Sequence, residues 1–178
     1  ASLLIRIPGW LKNKPVPGDL YSYVNAGKTE PAFYVNGKEK RADITCNGYA
    51  SITRKWQKRD KIEVVFPMEV KRVEAHEKVK EDAGLRAFEY GPVVYCAEAY
   101  DNNGKALNIV IPDNAEFVAE YSPDVLNGIN ILKWPGQTVE GRIIEDIEVK
   151  LIPYYTWNNR GEGEMKVWFR IECPLTLQ

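Results

Sequence analysis

The stretch "IEVKLIPYYTWNNRGEGEMKVWFRIE", Ile147 to Glu172, holds two alternating runs around an aromatic loop. In the first run Ile147, Val149 and Leu151 share one face. In the second, Met165, Val167, Phe169 and Ile171 share one face, and Lys166, Trp168, Arg170 and Glu172 the other. A period of two is the signature of a half-buried strand, because successive side chains leave the backbone on opposite sides. Pro153 and the Asn-Asn-Arg-Gly sequence end the first strand, so the segment reads as strand, loop, strand.

The same period runs through the rest of the chain. "SLLIRIP" aligns Leu3, Ile5 and Ile7, and "KIEVVF" aligns Ile62, Val64 and Phe66. "YASITRKW" aligns Ala50, Ile52 and Trp56, interrupted by Arg54. "GPVVYCAEAY" is apolar on both faces until Glu98, as a strand covered on both sides would be. Asn36-Gly37 is the strongest short hairpin signal. Asn47-Gly48, "DNNGK" from Asp101 and "LNGI" from Leu126 are further turns. A single helical turn is the most that "PDVLNGINILKW" predicts.

These features predict an all-β chain of about ten to twelve strands, with little or no helix, in two antiparallel sandwich-like units. The first unit spans residues 1–79, with strand 164–172 a candidate to complete it; the second spans 84–163. The charged segment Glu74–Asp82 followed by Gly84 reads either as a boundary or as a solvated hairpin.

The chain has 178 residues, enough to bury roughly 70% of its unfolded surface. A net charge of −1, from 24 basic and 25 acidic residues, leaves no electrostatic footprint for nucleic acid or an anionic membrane. Three dispersed cysteines, Cys46, Cys96 and Cys173, make neither a disulfide framework nor a zinc spacing. No apolar run approaches a membrane span, and "ASLLIRIPGW" does not read as a signal peptide but as a chain entered in mid-strand.

No catalytic or metal residue is expected here. His76 is the sole histidine and lacks triad partners. Glu162 and Glu164 stand two apart in a glycine-rich turn, which suits a solvated tip better than a cleft pair. Cys96 sits in an apolar strand, as a buried, inert thiol does. There is no phosphate loop, dinucleotide fingerprint or HExxH. The five Trp and ten Tyr remain, and flat rings with a polar handle suit both sugar faces and protein interfaces.

An ordered set of segments carries a resemblance: "IRIPGW", "YVNGK", "GYASITRKWQKRDKIEVVFPMEV", "YGPVVYCAEAYDN" and "IPYYTWNNRGEGEMKVW". Together they resemble the carboxy-terminal β-sandwich region of bacterial β-L-arabinofuranosidases. The resemblance implies a parent glycoside hydrolase acting on arabinose-containing plant glycans, whose (α/α)6 barrel does the chemistry with a zinc-bound cysteine and a glutamate. Zinc is thus implied for that barrel, and no cofactor for this chain. The expected role is a non-catalytic accessory region that supports the barrel and self-associates.

Trp10, Tyr154, Tyr155, Trp157, Asn159 and Arg160 are the residues expected to make the interdomain or carbohydrate contact. The alternative is an independent carbohydrate-binding module using the same aromatics as a platform. Expected partners are the parent's catalytic barrel, with a homodimer and a carbohydrate as candidates, and neither nucleic acid nor membrane. The sequence does not fix the compartment, though a periplasmic or secreted one is favoured over the cytoplasm.

Overall fold

The computed structural model describes residues 1–25, 27 and 30–171. Glu172 and Cys173 therefore lie outside the described residues. In chain order the strands are β1 (Ser2–Arg6), β2 (Tyr21–Tyr23), β3 (Ala32–Val35), β4 (Lys38–Glu39), β5 (Asp43–Ile44), β6 (Tyr49–Thr53), β7 (Ile62–Val65) and β8 (Val70–Ala75). There follow β9 (Leu85–Tyr90), β10 (Val93–Glu98), β11 (Ile109–Val110), β12 (Val118–Ser122), β13 (Ile129–Glu140), β14 (Ile143–Pro153), β15 (Met165–Lys166) and β16 (Phe169–Arg170). Four short 3-10 turns are the remaining helical elements among the described residues, so the all-β reading holds. The strands outnumber the ten to twelve read from sequence, because two-residue strands such as β4, β5 and β11 are too short to show a period.

The amino-terminal part is a small sandwich of two three-stranded sheets, ordered β1-β6-β5 and β4-β3-β7. Ile7, Phe33, Val35, Ala50 and Ile52 are buried between them, with Ile5, Val64 and Phe66 packed against that core. The β3–β4 hairpin turns on Asn36 and Gly37, both left-handed (φ 52° and 74°), as the Asn-Gly signal requires.

The carboxy-terminal part is one ten-stranded sheet ordered β15-β10-β14-β13-β11-β16-β9-β8-β2, with β12 added on β13. β9 also pairs with β10, so the path β10-β14-β13-β11-β16-β9 closes on itself like a barrel. Phe88, Tyr95, Ile109, Leu132, Val149 and Phe169 belong to the buried core inside it. Along β10, Tyr95 and Ala97 face that core, while Cys96 faces a second cluster with Ile129, Ile131 and Ile152. That explains why its sequence is apolar on both faces.

Several expectations need correction. The run "EMKVWFRIE" is not one strand but β15 and β16 with a bend at Val167 and Trp168. The bend lets Phe169 pack on Phe88 (ring centroids 5.9 Å apart) while Trp168 reaches Tyr21 (5.7 Å). Both pieces stay in the large sheet: β15 pairs β10, and β16 lies between β9 and a parallel β11. One parallel pair therefore interrupts the antiparallel scheme. Of the two readings of the charged segment, the hairpin is the one that the pairing fits: residues 76–84 form the turn between β8 and β9 inside a single sheet. No helical turn follows Pro123; Leu126 and Asn127 are left-handed (φ 51° and 66°), which breaks any helix there.

Candidate functional site

At the end of β14, Pro153 passes into a 3-10 turn, Tyr154–Thr156. The Thr156 hydroxyl donates to the Pro153 carbonyl at 2.6 Å, and the Trp157 amide donates to the Tyr154 carbonyl at 3.1 Å. Asn158 is left-handed (φ 62°), and its amide donates to a Glu98 carboxylate oxygen at 2.7 Å. Asn159 donates from its side chain to the Thr156 carbonyl at 2.9 Å.

Arg160 anchors the loop. Its guanidinium donates to Glu98 at 2.6 Å and to Asp101 at 2.9 Å, with a second, shorter contact to Asp101. It lies 4.6 Å from the centroid of the Tyr100 ring, so charge-assisted bonds and a cation–π contact combine. Burial alone would lower the Arg160 pKa, but its bonds to Asp101 and Glu98 outweigh that and hold it above its ordinary value. The fork fastens the loop to the end of β10, about sixty residues away in sequence.

The pinned loop holds its rings outward. Tyr154, Tyr155 and Trp157 are 45%, 70% and 40% exposed. Tyr154 and Trp157 are nearly parallel (7°) with centroids 6.2 Å apart. A sugar ring between them would need about 3.5–4 Å on each side, so these two cannot clasp one. They form a slab. Beside it lies a hollow of about 440 Å³ bordered by Tyr100, Trp157, Arg160, Glu162 and Glu164. Glu164 accepts from the Ala106 and Leu107 amides at 2.8 and 3.1 Å, and these bonds hold its carboxyl below the usual range. It is a loop clamp rather than half of a reacting pair.

Five of the six candidates are thus brought into one loop. Trp10 is not among them. It sits in a 3-10 turn, Gly9–Lys12, and meets Phe66 edge-on at 6.4 Å. Its carbonyl accepts from Lys71 at 2.8 Å.

Sequence reading missed three groups. Glu98 and Asp101 are the loop's anchors; the only clue was a carboxylate ending an otherwise apolar strand. Asn102 is completely enclosed, donating to the Glu98 and Lys150 carbonyls at 2.8 and 2.9 Å and accepting from the Lys150 amide at 2.9 Å. It was read as an ordinary turn residue. Third is a polar joint below the small sandwich. Lys71, only 3% exposed, bonds to Trp10 and Asn13 and lies 4.7 Å from the Tyr23 ring centroid. Tyr23 donates to Glu89. Burial lowers the Lys71 pKa and raises those of Glu89 and Tyr23, with the Tyr23–Glu89 contact adding to the Tyr23 shift.

Among the described residues no donor set fits the zinc implied for the parent's barrel. Cys96 is fully buried, and burial pushes its thiol up to about 12, opposite to what a metal thiolate needs. Cys46 is exposed, and among the described residues no three His, Cys, Asp or Glu side chains stand together as a metal set.

Comparison with known proteins agrees with this architecture. Residues 1–68 match the model described as "Beta-L-arabinofuranosidase, GH127 middle domain", and residues 70–170 match "Glycoside hydrolase family 127 C-terminal domain". The change-over falls between β7 and β8. The non-reducing end β-L-arabinofuranosidase of Bifidobacterium longum is 30% identical over 93% of this chain and 25% of that protein. A solved GH127 β-arabinofuranosidase superposes with a TM-score of 0.88 at 40% identity, covering 96% of this chain and 28% of the other. A GH127 β-L-arabinofuranosidase from Geobacillus stearothermophilus gives 0.78 at 32% identity, covering 96% and 26%. The chain spans about a quarter of the length of these relatives.

Proposed function

The chain belongs to glycoside hydrolase family 127, and from that premise we propose that it is the non-catalytic β region of an arabinofuranosidase-like enzyme acting on arabinose-containing glycans. Its work is to dock on the catalytic barrel and hold it. One observation carries the docking reading: Arg160, forked onto Glu98 and Asp101, fixes an exposed slab of Tyr154, Tyr155 and Trp157. Rigid aromatic area around a half-buried, ion-paired arginine is what protein interfaces use as anchors, because little side-chain entropy is lost on binding. Self-association is assigned to the small sandwich. There Leu4, on β1, is 57% exposed, which presents an apolar side chain to a second copy.

The test mixes this chain with the separately produced amino-terminal part of its parent. A complex is expected by sedimentation, weakened about tenfold or more by Trp157→Ala combined with Tyr155→Ala. Undiminished association of the double variant would overturn the docking assignment. The chain alone is expected to release no arabinose from an aryl β-L-arabinofuranoside; turnover by a clean preparation would overturn the non-catalytic role. Saturable quenching of Trp fluorescence by arabino-oligosaccharides, lost in Trp157→Ala, would favour a carbohydrate-binding module at this loop instead.

A further inference from the structure

A hollow of about 470 Å³ opens on the small sandwich, where β4 faces β6 across the link from β4 to β5. The strand register decides which side chains enter it. Lys38 stands opposite Val35, and the Lys40 amide donates to the Phe33 carbonyl at 2.8 Å. Phe33 and Val35 are buried between the two sheets, so Lys38 and Lys40 leave the chain on that same inner face. On the other sheet Ala50 and Ile52 point inward, and Ser51 and Thr53 outward. The Arg54 amide donates to the Ala1 carbonyl at 3.2 Å, and the Ala1 amino group to the Arg54 carbonyl at 3.1 Å. The pairing thus runs on past β6, and Arg54, two residues beyond Ile52, returns to the inner side. Asp43 also borders the hollow, but it pairs with Ser51, so its carboxylate leaves on the outer face.

Four cations therefore border one opening: Lys38, Lys40, Arg41 and Arg54. Arg54 is held in place, 3.6 Å from Asp60 and 5.2 Å from the centroid of the Trp56 ring. Asp60 is itself fixed, accepting from the Asn36 side chain and the Gln57 amide at 2.8 Å each. It offsets one positive charge. Lys38, Lys40 and Arg41 are exposed, and their side chains pair with no carboxylate among the described residues. Like charges gathered at one opening repel until an anion enters. Lysine and arginine offer donors and no acceptor, so a fitting ligand is rich in acceptors. An acidic peptide brings backbone N–H donors that these side chains cannot satisfy. A single phosphate is too compact to meet Lys38 and Lys40, about 7 Å apart along the strand, together with Arg54. Carboxylates spaced along a chain of sugar rings meet both demands.

We propose that this side of the small sandwich binds an acidic oligosaccharide of about two or three uronate rings, its carboxylates accepting from Arg54, Lys38, Lys40 and Arg41. The site is separate from the loop at 154–160, none of whose residues borders it. It goes beyond the docking role and does not depend on it.

The experiment titrates the 178-residue chain with trigalacturonate, maltotriose, hexaglutamate and inorganic phosphate, read by calorimetry at low salt. Trigalacturonate is expected to saturate below about 10 mM, with the other three about tenfold weaker or more. Lys38→Glu combined with Lys40→Glu is expected to weaken its binding about tenfold or more. Both lysines are exposed and unpaired among the described residues, so the fold should survive the change. Lys55→Glu combined with Lys58→Glu alters the net charge equally at two exposed positions that do not border the hollow, and is expected to leave binding within about twofold. Undiminished binding by the Lys38 and Lys40 double variant overturns the proposal, as does an equal loss in the Lys55 and Lys58 one. So does maltotriose, hexaglutamate or phosphate binding as tightly as trigalacturonate, or no binding of trigalacturonate.

Discussion

The small sandwich and the closed sheet are built from the same alternating strands, yet they are secured differently. In the sandwich, five buried hydrophobic residues fill the gap between two sheets of three strands. In the closed sheet, twelve buried residues form one cluster inside a path that returns on itself. A sheet that closes pairs the backbone groups that an open sheet leaves at its edges. Charge divides in the same way. Residues 1–66 hold twelve Lys or Arg against six Asp or Glu, whereas residues 67–178 hold twelve against nineteen. The near-zero total therefore hides two opposed halves, and the buried Lys71 ties the sandwich's 3-10 turn to the acidic sheet. The sandwich is the dependent partner: its core is thin and its anchor lies in its neighbour.

The largest effect expected is that of Phe88→Ala. Phe88 is fully buried and touches both Phe117 and Phe169, so its loss costs about 3–5 kcal/mol and lowers the midpoint of the whole chain in urea. Phe33→Ala, in the sandwich, is expected to loosen only the two small sheets of β1 and β3 to β7, seen as lost amide protection there with the large sheet, β2 included, still protected. Equal loss of protection in both regions would break the comparison.

Next comes Asn102→Ala, which strands buried backbone groups of Glu98 and Lys150 and costs about 2–3 kcal/mol by chemical denaturation. A cost near zero would mean that water replaces the amide.

Glu89→Gln sharpens the picture of the joint through pH. Burial holds the folded Glu89 pKa above its ordinary 4.5, so the folded form binds a proton more tightly than the unfolded chain does. Its contribution to stability is present below 4.5 and is lost as pH rises through the raised value. Replacement by glutamine should remove that fall, measured as the change in urea midpoint between about pH 4 and about pH 7. An unchanged fall would place the titration elsewhere.

The smallest effect belongs to Gly37→Ala. Nothing stands near a Cβ at Gly37, but its φ of 74° disfavours alanine, so a loss of about 1 kcal/mol in thermal unfolding is expected.

The period-two runs predicted which residues meet the core: Ala50 and Ile52 in the sandwich, and Ile147, Val149 and Leu151 in the long hairpin, are all buried. The Asn36-Gly37 turn was legible because its left-handed backbone is a local demand. The loop at 154–160 was legible as a cluster of rings, yet its anchors were not, since Glu98 and Asp101 lie about sixty residues away. The seat of Trp134 over Gly136 left no trace, because the two acquire meaning only when Phe117 and Val149 arrive beside them.

Alternation and turn chemistry, both properties of neighbours in the chain, determined on their own that this protein is built of strands and which faces turn inward. Closure of β9 on β10, the parallel pairing of β11 with β16 and the fork beneath the aromatic slab were decided only by the tertiary structure. The physical reason is that each joins groups far apart in sequence, where hydrogen bonding and burial select partners by position in space.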